Sequence, residues 1–470
     1  MSGTPPLTSK SRRPNNRPPG PRGSFAPTLQ FQRTPLEFLS RMLDEHGDIF
    51  SVDLLGMPTV VLNDPTFVDH VLKRHHHNYD RNGPAVEMAR NMFGYGLGTA
   101  ARPEWLLQRR LLQPAFHRQR IAAFDEMMTT AIETTHDRWE QARIAGTPID
   151  VGAEMTDLAL RIVLATLFDL NPGDGILRTF TDAFTVTTQE LASFMRFPLL
   201  PLSVPTPGHR RFHRSLNVLD SIMYEMIRRH RADEGSDQSL LSRMMAARDA
   251  ESTEGMTDRQ LRDEILTMLF AGHETSANTL TWVWYLLGRH PDVEQRLRTE
   301  IDTVLADRRP RTADLPPLTY TRQVIQETLR LYSPAWHNYR QAVADDEIGG
   351  YRIPAGTTIL WSYYFIHRHR NYWPNPEQFD PDRFSEAKNI GGIHPGYYPF
   401  GAGPRMCIGN VFAMAEMQLT IAMTLQRYRL VPTSDKVIAP VPLITLHPRR
   451  PVTVHLERYR SLSSPSTGSR

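Results

Sequence analysis

The chain has 470 residues, with 54 Lys and Arg against 51 Asp and Glu, 40% apolar and 22% charged residues, and one cysteine. A body of this length buries enough surface to fold without staples, and a lone cysteine excludes an internal disulfide. Residues 1–36 hold six bases and no acid (Lys10, Arg12, Arg13, Arg17, Arg22, Arg33), leaving 48 bases against 51 acids for the rest. A nucleic-acid binder would carry its basic excess on the folded body, so that class is excluded.

Residues 1–35 are rich in proline and arginine and read as a disordered leader. They lack the apolar stretch of a secretory signal, and their prolines break the amphipathic helix of a transit peptide. Ile49–Leu54 and Thr59–Leu62, separated by Gly56 and Pro58, predict paired strands. Amphipathic stretches at 104–143, 153–169, 175–196 and 210–232 predict helices. Thr257 and Gln260 form a capping box that opens a long helix running to about His290. Its flanks, Ile265–Ala271 and Trp282–Leu287, are apolar on all sides, so it is expected to be buried. Strand signals return at Ile348–Ile353 and Thr357–Tyr363, a proline- and aromatic-rich coil spans 371–384, and a last helix lies near 408–427. Residues 461–470 read as a disordered polar tail. The pattern predicts a mainly α fold with a small β-rich part, in a single domain over 36–460. No run approaches the roughly 18 apolar residues of a membrane-spanning helix, so a cytoplasmic protein without a transmembrane anchor is expected.

Cys407 lies directly before the last helix, in a loop with three glycines and Arg405. A helix N-terminus, a nearby cation and glycine-freed backbone N–H groups all favour a thiolate. Residue chemistry alone leaves open a buried structural thiol or a hydrolase nucleophile. The loop resembles the cysteine-ligand loop of the cytochrome P450 family, Phe-x-x-Gly-x-Arg-x-Cys-x-Gly, with Phe400, Gly403, Arg405, Cys407 and Gly409 all matching. The resemblance implies that Cys407 is the axial thiolate ligand of a haem b iron, pushing electron density toward O–O cleavage.

The middle of the long helix is polar: Ala271, Gly272, His273, Glu274 and Thr275 interrupt the apolar run. Gly272 removes side-chain bulk and would allow a bulge where a small molecule or water can sit. A His-Glu-x-x-His zinc site is excluded because position 277 is Ala277. The segment is similar to the family's oxygen-activating motif, Ala-Gly-x-Glu/Asp-Thr. That similarity implies that Thr275 hydrogen-bonds bound O2 and that Glu274 relays protons. His273 is read as a packing residue.

Other positions follow the same resemblance. Glu327 and Arg330, three apart on a helix, would form a buried structural triad with Arg383. Trp105 with Arg109, Arg340 and Arg405 would serve the haem propionates. Met88, Met92, Phe93, Phe194, Phe270, Ala271, Ala335 and Trp336 would line an apolar substrate pocket. The three adjacent histidines, His75, His76 and His77, end a predicted helix, and no carboxylate or cysteine completes them, so they read as a solvated turn.

The resemblance implies the family's triangular helical prism and a haem-thiolate monooxygenase. Such an enzyme hydroxylates or epoxidises a lipophilic molecule, here in specialised metabolism of terpenoid or polyketide type. A fused flavin reductase does not fit in this length, so electrons from NAD(P)H would arrive through a separate ferredoxin or flavodoxin and its reductase. Arg110, Arg118 and Arg120 would meet that acidic partner. A monomer is expected. A peroxygenase or rearrangement enzyme with the same ligand, or a non-catalytic haem or ligand-binding protein, are the alternatives.

Overall fold

A computed structural model describes residues 16–54, 56–170, 174–196, 201–232, 239–246, 255–385 and 394–459. The tail read over 461–470 lies outside them. The chain divides into two compact units: the part up to Asp80 with Tyr339–Trp361, and Arg81–Asn338 with Ser362 onward. All three crossings fall inside the 36–460 stretch read as one domain.

The smaller unit is built on a five-stranded sheet. Ile49–Leu54 pairs antiparallel with Met57–Leu62, in register Ile49↔Leu62. Met57–Leu62 pairs parallel with Thr358–Trp361, in register Thr59↔Thr358. Strands Asn338–Ala342 and Tyr79–Asp80 complete it. Phe50 and Val52 share one face of the sheet with their partners Val61 and Thr59, and all four are buried. The predicted strand over Ile348–Ile353 is instead a hairpin, Asp346–Ile348 with Tyr351–Ile353, reversing at Gly349 and Gly350.

Residues 16–35 depart from the disordered leader expected over 1–35. A helix spans Phe25–Arg33, and the segment before it is tied down by backbone pairing. Ser51 donates its N–H to Pro19 O at 2.7 Å and its hydroxyl to Pro18 O at 2.8 Å. A Cβ at Gly20 would lie 1.8 Å from Ser51 O, so the close approach requires glycine there. Prolines remove donors but keep their carbonyls, and strand-edge donors satisfy those.

The larger unit is helical. Its spine is Asp258–Leu287, a 30-residue helix opened by Thr257: the Gln260 N–H donates to Thr257 Oγ1 and the Thr257 N–H to Gln260 Oε1. Nearly its whole circumference is buried, as its all-round apolar flanks require. Val151–Phe168, Asp174–Arg196 and Pro207–Ala232 match the expected helices closely. The stretch 104–143 does not form one helix. It is split into Glu104–Leu112, a 3-10 turn at Gln113–Phe116, Arg118–Ile121 and Asp125–Ala145, because Pro114 cannot donate to the helical ladder. Asn410–Arg427 is the last helix, and Ile149–Asp150, Tyr428–Pro432 and Thr453–Arg458 form a small antiparallel sheet. Among the described residues no helix is long and apolar enough to cross a membrane.

Candidate active site

The loop before Asn410–Arg427 is closed by its own backbone. Cys407 N–H donates to Phe400 O at 2.9 Å, Met406 N–H to Gly403 O at 3.0 Å, and Gly401 N–H to Tyr398 O at 3.0 Å. Gly403 sits at φ +68°, a region that a side chain would make costly. Gly409 caps the helix and aims its N–H at the Cys407 sulfur. Cys407 is accessible to contact, yet burial pushes its thiol up, while Gly409 N–H and the Arg109 cation pull it down.

Two cations tie the helix Glu104–Leu112 to this loop. Arg109 Nη1 donates to Met406 O at 2.8 Å, and burial lowers the Arg109 pKa. The Arg405 guanidinium lies 4.2 Å from the Trp105 ring centroid and donates from Nη1 to Ala100 O at 3.0 Å. Trp105 is buried and Arg405 half-buried, so this cation–π contact is shielded from water. Arg340, the fourth predicted propionate partner, belongs to the smaller unit. There it is buried, donates to Tyr339 O at 2.7 Å and lies 5.6 Å from the Trp361 ring centroid.

The bulge expected at Gly272 is absent: the helix is continuous through this point. Gly272 instead permits close packing, since a Cβ there would lie 2.8 Å from Val163 Cγ2. Ala271, in the next position back, is exposed although the helix on either side is buried. Thr275 donates from Oγ1 to Ala271 O at 2.6 Å. Glu274 points elsewhere. Its Oε1 accepts from Thr445 Oγ1 at 2.5 Å and lies 3.2 Å from His447 Nε2. Asn278 Nδ2 donates to Thr445 Oγ1 at 3.1 Å and completes the cluster. Burial works to raise the Glu274 pKa, but His447, Thr445 and His273 outweigh it and the carboxyl is held below its usual range. His447 comes from the hairpin Pro440–Pro442 with Leu446–Pro448, about 170 positions from Glu274, and no local pattern marks it. His273 is a packing residue: it is buried, and its ring meets Phe184 edge-on at 4.7 Å.

The predicted triad is assembled. Arg330 donates from Nε and Nη2 to Glu327 at 2.7 and 2.8 Å, and Arg383 Nε reaches Glu327 Oε1 at 3.3 Å. Arg330 also serves the carbonyls of His367, Pro376 and Gln378, with no exposed surface on either Arg330 or Glu327. A five-donor planar fork is needed for this many acceptors, which lysine cannot supply.

The pocket list is met in part. The Phe93 and Phe270 rings lie 4.9 Å apart at a tilt of 56°, Phe184 joins them at 5.7 Å from Phe270, and Met88 is half-buried nearby in sequence on Pro84–Phe93. Ala271 and Ala335 are exposed. Phe194 serves helix packing, lying 4.7 Å from His209 and 5.6 Å from Phe212. Met92 has no exposed surface, and Trp336 and Phe184 have 4% each. The Trp336 indole N–H needs a partner when buried and finds Leu443 O at 2.9 Å, which turns the ring into the core.

An accessible sulfur at a helix N-terminus, held by a glycine N–H and an arginine, is donor chemistry suited to a soft, electron-rich iron ligand. The residues therefore fit a haem. A family model described as Cytochrome P450 matches residues 17–453. The chain is 37% identical to cyclooctatin synthase of Streptomyces melanosporofaciens over 89% of this chain and 90% of that protein. It is 35% identical to pentalenene oxygenase of Streptomyces avermitilis, over 90% of this chain and 92% of that one. The solved haem domain of cytochrome P450DA superposes with a TM-score of 0.85 at 26% identity, covering 94% of this chain and 98% of that one. With the fold, the cysteine loop and these relatives in agreement, the chain belongs to the cytochrome P450 family and is a haem-dependent monooxygenase.

Proposed function

We propose that this enzyme inserts one oxygen atom from O2 into a polycyclic terpenoid of low polarity, with Cys407 as the axial thiolate. The observation that carries the ligand assignment is that the family's chemistry needs a cysteine and this chain has one, open at a helix N-terminus. The substrate class rests on relatives whose names denote an alkene and an unsaturated alcohol, pentalenene oxygenase and cyclooctat-9-en-7-ol 5-monooxygenase. An aromatic cluster of Phe93, Phe184 and Phe270 suits such a skeleton, because apolar walls reward desolvation of a molecule with few polar groups.

When bound, the haem supplies O2 binding and the cleavage of its O–O bond. The protein's residues do the rest. Gly409 N–H and Arg109 hold negative charge on the sulfur, and Arg405 and Arg109 offer cations to the propionates. Trp105 fixes the Arg405 guanidinium from one face. Glu274, kept ionised by its neighbours, takes protons from His447, whose side chain is 34% exposed and so within reach of water. Thr275 holds its hydroxyl proton on Ala271 O and presents it by a simple rotation of the hydroxyl. Phe270 and Ala271 keep this face apolar up to the point where the proton is needed. Electrons come from NAD(P)H through a ferredoxin or flavodoxin, and the enzyme works as a cytoplasmic monomer. Exposed Arg110 and Arg120 supply positive charge for that acidic carrier.

The test is reconstitution with a surrogate ferredoxin, its reductase and NADPH against a panel of sesquiterpene and diterpene hydrocarbons and alcohols. The expected result is a low-to-high-spin change with some members and an NADPH-dependent product heavier by one oxygen. No spin change and no oxygenated product across the panel, with polar or aromatic compounds turned over instead, would overturn the substrate class.

A further inference from the structure

The histidine run that reads as a solvated turn is completed from the far end of the chain. In the smaller unit, His70 Nε2 lies 2.9 Å from Asp346 Oδ2, and His75 Nδ1 lies 3.5 Å from the same oxygen. The two imidazoles are stacked, with centroids 4.0 Å apart. The three ligand atoms all lie within 4.8 Å of one another. We propose that His70, His75 and Asp346 bind a divalent transition-metal ion such as Zn2+, separate from the haem site, which staples the hairpin Asp346–Ile353 to the segment His70–His75.

The local backbone explains why the two histidines converge. After the short helix Pro65–Asp69 the chain widens into a π-turn over His70–Arg74, and the His75 N–H donates to His70 O at 2.8 Å. Residues five apart diverge on an α-helix, but a π-turn realigns them, and such turns recur at functional positions. The carboxylate is prepared in the same way. Asp346 Oδ1 accepts the Glu347 N–H at 2.7 Å, which fixes the group, and Tyr79 OH donates to Oδ2 at 2.7 Å. A phenol on a ligating carboxylate is the outer-shell contact that orients metal ligands.

The spacing lets one ion be shared by all three side chains. A tetrahedral ion with ligands at about 2.0–2.1 Å has ligand–ligand edges of about 3.3 Å. The two separations, 2.9 and 3.5 Å, lie on either side of that edge. One carboxylate oxygen has about two lone-pair directions, and here His70, His75 and Tyr79 all converge on Oδ2. An ion between the imidazoles and the carboxylate relieves that crowding. His70 and Asp346 are mostly buried, at 15% and 12% side-chain exposure, while His75 at 47% leaves an entry path and room for a water as fourth ligand.

The test uses the untagged, haem-loaded enzyme after treatment with a chelator, titrated with Zn2+ by calorimetry. The expected result is uptake of one equivalent with a rise in melting temperature. Binding should weaken at least tenfold in His75→Ala and in Asp346→Asn, and should be unchanged in a His76→Ala, His77→Ala double variant. His75 is half-exposed, so its variant is expected to keep the parent Soret spectrum and fold. No stoichiometric uptake, undiminished affinity in His75→Ala, or an equal loss in the His76, His77 double variant would overturn the proposal.

Discussion

Glu274 Oε1 lies 3.2 Å from His447 Nε2, joining the polar centre of the long helix to a hairpin near the end of the chain. The contact gives the buried carboxylate a partner that is itself reached by water. It also accounts for a carboxyl held below its usual pKa despite burial, since an opposite or donor group this close favours the ionised form.

Glu274→Gln is expected to lower turnover by about 10²-fold, the range for loss of a positioned proton carrier. Oxygen consumption should fall less than product formation, and the solvent isotope effect on kcat should rise. His447→Ala should produce a weaker version of the same signature, about tenfold in kcat with KM unchanged. Equal losses of oxygen consumption and product, with no isotope effect, would place both residues in structure only.

Glu416 is fully buried, accepts from Ser276 Oγ at 2.7 Å through Oε2, and among the described residues has no partner for Oε1. Burial pushes its carboxyl up to about 8. A folded pKa above the unfolded one means that its contribution is fully present below about pH 4.5 and is lost as pH rises toward 8. Glu416→Gln keeps an acceptor for Ser276 and removes this pH dependence. It should match the parent near pH 4.5 and exceed it by about 3 kcal/mol at pH 7 to 8, read by denaturant unfolding across pH. A pH-independent difference would contradict the buried, neutral carboxyl.

Gly272→Ala drives a methyl to within 2.8 Å of Val163 Cγ2. Helix propensity favours alanine by about 1 kcal/mol, but overpacking costs about 1–3 kcal/mol, so a net loss is expected. Adding Val163→Ala should recover most of it. Additive single and double values in thermal unfolding would show that the contact is not the cause.

Arg330→Lys removes at least one of the two Arg330 hydrogen bonds to the buried Glu327, leaving it Arg383 Nε and the Asp380 N–H, and strips carbonyl partners from the 367–378 segment. A loss of about 3–5 kcal/mol is expected, with poor haem retention, because a buried carboxylate is left under-compensated. Stability within about 1 kcal/mol of the parent would contradict a load on this network.

The elements legible in the sequence were those whose signal is local. The capping box at Thr257, the two apolar flanks of its helix, and the glycine spacing around Cys407 each sit within a few residues, and the structure has them where expected. What the sequence did not reveal depends on distant partners. His447 meets Glu274 across 173 positions, and Asp346 meets His70 across 276, so neither could be found by reading neighbours. The pocket expectations at Met92, Phe194 and Trp336 meet packed side chains, which a local reading does not reveal either. An apolar side chain near the right place can face the core as easily as the cavity, and only packing decides which. The leader misled through composition, because its prolines signal disorder while Ser51 offers their carbonyls a backbone partner.

The central claim is that Cys407 ligates the haem iron as a thiolate, and the reduced carbonyl spectrum tests it most directly. The purified enzyme should give a strongly red-shifted Soret band under carbon monoxide. Cys407→Ser should lose that band while retaining the parent's far-ultraviolet circular dichroism. An unshifted band in the parent, or a shifted band that survives the substitution, would contradict the account.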